Sequence, residues 1–160
     1  MSLPLDLKGT VEFRAKDLDQ SDGFSPEKAI DAVAAALRQN KALEISQTST
    51  RIEFRIRLAR VLLPSGGMGA INAGEVETNR DSDGLFISYR LEFKVFLIEI
   101  ALAMACLAAF MNTWTDVPYY LGIVFPVFGL VFLSAVNLAQ AHFDFRQLLK
   151  KAILEPGNSS

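Results

Sequence analysis

Apolar residues follow two patterns along this chain. Between Thr10 and Phe93 they recur at a period of two or of roughly three and a half; between Val95 and Ala141 they run almost without a break. A period of two marks a half-buried strand, and a period near 3.6 marks a helix with one buried stripe. In TVEFRAK, Thr10 to Lys16, Val11, Phe13 and Ala15 alternate with Glu12 and Arg14, which predicts a strand. DLDQSDGF follows as a polar turn. Ser25 then opens a helix: Ser is a good N-cap, Pro26 fits the first helical position, and Glu27 suits the positive end of the helix dipole. Ile30, Val33 and Leu37, with Ala29, Ala34 and Ala36, form its apolar face, and Asn40 is its stop.

Leu43 to Gln47 reads as a short strand. Arg51 to Leu58 alternates most clearly, with Ile52, Phe54, Ile56 and Leu58 against Arg51, Glu53, Arg55 and Arg57. Phe54 is the largest residue on that inward face. Apolar parity switches between Ile45 and Ile52, so QTST holds a turn or bulge. Gly74 to Asn79 and Leu85 to Phe93 form a hairpin around RDSDG. The expected fold of residues 1–92 is therefore a βαβββ-like, mostly antiparallel α+β domain.

Residues 93–143 predict a transmembrane hairpin. Val95 to Asn112 would make about 27 Å of helix and Tyr120 to Ala141 about 33 Å, against a hydrocarbon core of about 30 Å. The joining loop, TWTDVP, carries Asp116 and no Lys or Arg. Arg90 and Lys94 precede the first helix, and Arg146, Lys150 and Lys151 follow the second. The positive-inside rule then places both termini in the cytoplasm of a cell or inner membrane, with these five cations as candidate lipid-headgroup contacts. Trp114, Tyr119 and Tyr120 suit the opposite headgroup layer. MSLPLDLKG has no apolar core of a cleavable signal. Residues 144–160 predict a short amphipathic helix along the inner leaflet, FDFRQLLKKAIL, and a tail, EPGNSS.

The first membrane helix carries one carboxylate, Glu99. At mid-bilayer it would cost about 2.5–3.5 kcal/mol, comparable to the whole gain of about 2–5 kcal/mol from that helix's Val, Phe, Leu and Ile residues. The helix therefore depends on a neighbour. Asn137 on the second helix falls at a similar depth, so a Glu99–Asn137 hydrogen bond is the expected intramembrane polar pair. Ala101, Ala105 and Ala108 or Ala109 form a small-residue face suited to close helix approach, as do Gly122 and Gly129 on the second helix. Pro126 between them predicts a kink.

Composition narrows the chemistry. The chain has 160 residues, net charge −2, one Cys and one His. Cys106 lies in the first apolar run, so no disulfide forms within the chain. One His and one Cys make no zinc or iron site of the usual kind. The Gly-rich stretch LPSGGMGAINAG, Leu63 to Gly74, fits neither a P-loop nor a dinucleotide fingerprint and reads as a loop. Asp81, Asp83 and Gly84 lack the spacing and closing Glu of a calcium loop. Arg51, Arg55, Arg57 and Arg60 read first as a solvated sheet face and second as a contact for anionic headgroups or an acidic partner.

No nucleophile–base pair, paired carboxylates or cofactor motif supports an enzyme. The expectation is a non-catalytic integral membrane accessory, assembly or scaffold subunit of a larger membrane protein complex. Its partners would be the lipid bilayer and other membrane subunits or further copies of itself, with no nucleic acid and no cofactor. The alternative is a small oligomeric transporter or channel protomer using Glu99.

Overall fold

The computed structural model describes residues 6–14, 25–40, 42–56, 70–82, 84–114 and 118–154. The order is β1 (Asp6–Arg14), α1 (Pro26–Gln39), β2 (Glu44–Gln47), β3 (Arg51–Arg55), β4 (Ala73–Asp81), β5 (Gly84–Glu92), α2 (Lys94–Trp114) and α3 (Tyr119–Leu154). The strands form one sheet in the order β1-β5-β4-β3-β2, with every neighbouring pair antiparallel. The α+β, antiparallel expectation holds, with one strand more than a βαβββ frame because Glu44–Gln47 pairs with β3 on its own. The turn expected in QTST joins these two strands, closed by Thr48 N–H donating to Arg51 O. The DLDQSDGF turn, Arg57, Arg60, Asp83, Asp116, most of the Gly-rich stretch and the EPGNSS tail lie outside the described residues.

Local chemistry explains the elements. Ser25 caps α1, its Oγ accepting from Lys28 N–H at 3.2 Å, with Pro26 in the first turn and Asn40 at the end. Ala29, Ile30, Val33, Ala34 and Leu37 of α1 are fully buried against the sheet. β1 begins four residues before the expected Thr10. Its inward residues are Leu7, Gly9, Val11 and Phe13, and Gly9 hides the alternation from an apolar count. Gly9 pairs with Tyr89, whose ring lies where a Cβ would stand. Gly74 pairs with Phe54 in the same way: a Cβ there would lie 2.5 Å from Phe54 Cζ. Two glycines thus seat two large rings flat on the sheet, a recurring device in twisted sheets.

α2 and α3 are both long and apolar enough to cross a membrane. Only 6% and 11% of their apolar windows are buried within the chain, unlike the core helices of a soluble domain. The separate C-terminal helix expected on the inner leaflet does not exist. α3 is one helix of 36 residues that runs from the second apolar stretch directly onto the sheet. Ala141, Phe145, Leu149 and Ile153 recur every fourth residue and are 0–2% exposed. They share one core with α1 and the inward sheet residues, so a boundary at residue 92 cuts through that core. The stripe suited to a bilayer surface in the sequence is used instead to cover the sheet, where burying each large side chain contributes about 1.5–3 kcal/mol.

Candidate functional site at the sheet–helix junction

The sheet meets the two apolar helices in two places. At the first, β5 ends at Glu92 and α2 begins at Lys94, with only the buried Phe93 between them. Asn72 locks this joint. Its backbone N–H donates to Glu92 O, its carbonyl accepts from Ile56 N–H, and its side-chain Oδ1 accepts from Val95 N–H at 3.1 Å and Phe96 N–H at 3.4 Å. The first N–H groups of a helix have no partner within it. Here the cap comes from a residue more than twenty positions away, so no local capping signal announces it. Replacing Asn72 with Ala is expected to cost about 1 kcal/mol, the usual loss for a helix cap. Thermal melting of the full chain, compared with Asn72→Asp, which keeps an acceptor, measures it; equal loss in both variants would show that the acceptor is not what matters.

At the second joint, Phe145 of α3 sits between the two rings that the glycines seat. It stacks on Phe54 at 5.9 Å between centroids and meets Tyr89 at 5.1 Å, tilted by 56°. His142, one turn earlier, lies 5.8 Å from Tyr89. The Tyr89 hydroxyl is buried with no hydrogen-bond partner. Burial pushes its phenol up from the ordinary value, while Arg146 pulls it back. Tyr89 therefore stays neutral and serves as a packing ring at physiological pH.

Within the helix pair the expected polar bond is absent. Asn137 Nδ2 donates to Leu133 O, one turn back on its own helix, at 2.8 Å. A short amide reaches that carbonyl more easily than a carboxylate on another helix. Glu99 is half-buried, and its Oε2 has no hydrogen-bond partner; neither does the buried Oγ of Ser134. The small-residue face of α2 does not meet α3 either, since Ala101, Ala105 and Ala109 are exposed. The half-buried stripe is Ile100, Met104, Ala108 and Met111, in which larger side chains bury more area. The α3 glycines behave as expected: Gly122 is buried and Gly129 faces Met104, whose Sδ lies 3.4 Å from where a Cβ would stand.

The candidate headgroup cations fall into two groups. Arg90 is held by Asp6, with Nε donating to Oδ2 at 2.9 Å, and Lys94 lies 3.9 Å from Glu92. Arg146, Lys150 and Lys151 are exposed on α3, with no carboxylate within ion-pair distance among the described residues. On the outer sheet face Arg51 pairs with Glu53 and Glu75, and Arg55 with Glu44. These two arginines are a solvated, internally paired face, as first expected. No group of three or more His, Cys, Asp or Glu among the described residues is placed to hold a metal ion.

Comparison with known proteins adds no identity: no family model, no curated protein and no solved structure matches this chain.

Proposed function

We propose that this chain is a non-catalytic integral membrane protein, an accessory, assembly or scaffold subunit of a larger membrane complex, with both termini in the cytoplasm. The observation that carries this reading is the continuity of α3. One helix passes from an exposed apolar stretch into the core of the sheet domain, while Asn72 fixes the start of α2. Such a domain cannot swing on a linker; it presents its surfaces at a set height and angle to the bilayer. That is what a subunit needs in order to position a partner.

The same continuity sorts the cations by height. Counting from Ala141 as the inner boundary, Arg146 stands about 7 Å above it and Lys150 and Lys151 about 14–15 Å, at ~1.5 Å per residue. The headgroup layer is only about 5–8 Å thick on each side. Arg146 and Lys94 suit headgroup phosphates, and Lys150 and Lys151 rise clear of them.

Purification from native membranes in mild detergent, followed by mass spectrometry, tests the role; a different membrane protein is expected in stoichiometric amount. The transporter alternative has one observation in its favour, the buried and unpartnered Oε2 of Glu99. On the accessory reading, Glu99→Gln leaves folding and assembly unchanged. Ion flux in proteoliposomes that is present in wild type and lost in Glu99→Gln would overturn the accessory reading.

A further inference from the structure

The domain has two opposite lateral faces of opposite charge. α3 lies flat on the inner face of the sheet from Ala141 to Ile153, a rise of about 18 Å. Because α3 also continues the membrane span, the sheet stands roughly along the bilayer normal. Its outer face and its helix layer therefore look sideways, in opposite directions along the membrane surface. On the helix layer Lys28, Arg38, Arg146, Lys150 and Lys151 outnumber Glu27, Asp31 and Asp144. On the outer sheet face the excess is reversed. A shallow open concavity of about 800 Å³ there is lined by Glu44, Glu53, Glu75 and Glu92 with Arg55 and Arg90. Arg51 and Arg55 of this face already pair with Glu53, Glu75 and Glu44, so the acidic excess is what those pairs leave over. Glu77, exposed on the same face, has no ion pair among the described residues.

We propose that the domain associates head to tail with a second copy in the plane of the bilayer, Lys150 and Lys151 of one copy seating on the carboxylate-rich outer sheet face of the next. The inference rests on the membrane placement given above and not on the accessory role. Both faces are held at the same height in every copy, because both belong to one rigid unit standing on the same pair of helices. A two-fold dimer would oppose like with like, helix layer to helix layer or sheet to sheet. A head-to-tail contact opposes unlike charge and, repeated by rotation, closes into a ring. The five strands, of nine, four, five, nine and nine residues, at ~3.3 Å per residue in rows ~4.8 Å apart, give a face of about 570 Å². That is above the roughly 400 Å² per partner of incidental contacts and below the roughly 800 Å² of a standard interface. Charged pairs of this kind set orientation and partner choice more than affinity, so charge reversal is the informative change.

The test uses the full-length chain, purified and reconstituted into lipid nanodiscs, with oligomer size read by native mass spectrometry. Wild type is expected to form assemblies larger than two. Lys150→Glu with Lys151→Glu, or Glu53→Lys with Glu77→Lys, should each weaken association by about tenfold or more, and combining the two sets should restore it. Cysteine crosslinking reads the same contact without reversed charges. In a Cys106→Ala background, Lys150→Cys with Glu77→Cys should give a ladder of crosslinked oligomers, and either single cysteine alone should give no crosslinked dimer. A monomer at all concentrations, an assembly indifferent to both reversals, or a crosslinked dimer with either single cysteine as abundant as the crosslinked product of the pair would overturn the proposal. Co-purification of another subunit bears on the accessory role alone, so the two readings fail separately.

Discussion

A fragment that stops at Glu92 is expected not to fold. By sequence it looks complete, with five strands and an amphipathic helix. In the structure its core is open on one side without Ala141, Phe145, Leu149 and Ile153, each 0–2% exposed in the full chain. Losing the three large side chains alone removes about 5–9 kcal/mol of burial, at about 1.5–3 kcal/mol each. A small domain has only about 5–15 kcal/mol in total. It also bares Phe54 and Tyr89, which Phe145 covers, an apolar patch that promotes aggregation. Joining residues 139–156 to the fragment through a flexible Gly/Ser linker should restore the fold. Near-ultraviolet circular dichroism and amide NMR dispersion separate the outcomes. A dispersed spectrum and cooperative melting for the fragment ending at Glu92, equal to those of the joined form, would show that α3 is only a cover.

The same core explains what the sequence does and does not reveal. The strands of the hairpins and α1 are legible because each carries its own period and its own local signals, such as Ser25 before Pro26 or the parity switch before Ile52. β1 is legible only from Thr10, because Gly9 serves Tyr89 across the sheet and leaves no apolar mark. The two long apolar helices are legible from length. The fate of residues 141–154 is not, because an apolar stripe with Lys and Arg on its other side suits a bilayer surface as well as a sheet. Tertiary pairing decides between them, and the deciding feature is the gap between Tyr89 and Phe54 that Phe145 fills. Asn72 escapes for a related reason: its role depends on the helix start that lies opposite in space. The Glu99–Asn137 pair fails because depth alone was matched, and an asparagine amide has a nearer acceptor on its own helix.

Phe145→Ala is expected to be among the most damaging single changes in the chain, and Phe143→Ala, two residues earlier on the same helix, nearly neutral. Phe145 is 0% exposed and Phe143 is 60% exposed. Truncating a buried Phe costs about 3–5 kcal/mol, transfer and cavity together. Its contacts with Phe54 and Tyr89 are of a kind worth about 0.5–1.5 kcal/mol beyond area. Both rings rest against Gly74 and Gly9 on their other side, and how far they relax into the vacated space sets where between about 3 and 5 kcal/mol the truncation cost falls. In the full-length protein in detergent, the sheet domain of Phe145→Ala should melt more than about 10 °C below wild type, given about 4–8 °C per kcal/mol for a domain of this size. α2 and α3 should keep their helical signal, because their backbone hydrogen bonds are internal to each helix. Hydrogen exchange would then show residues 141–154 losing protection together with β1 and β5, as one cooperative unit. A Phe145→Ala protein whose sheet melts with wild type, or that loses no more than Phe143→Ala, would break the claim that α3 is built into the domain and that the sheet is rigidly tied to the apolar helices.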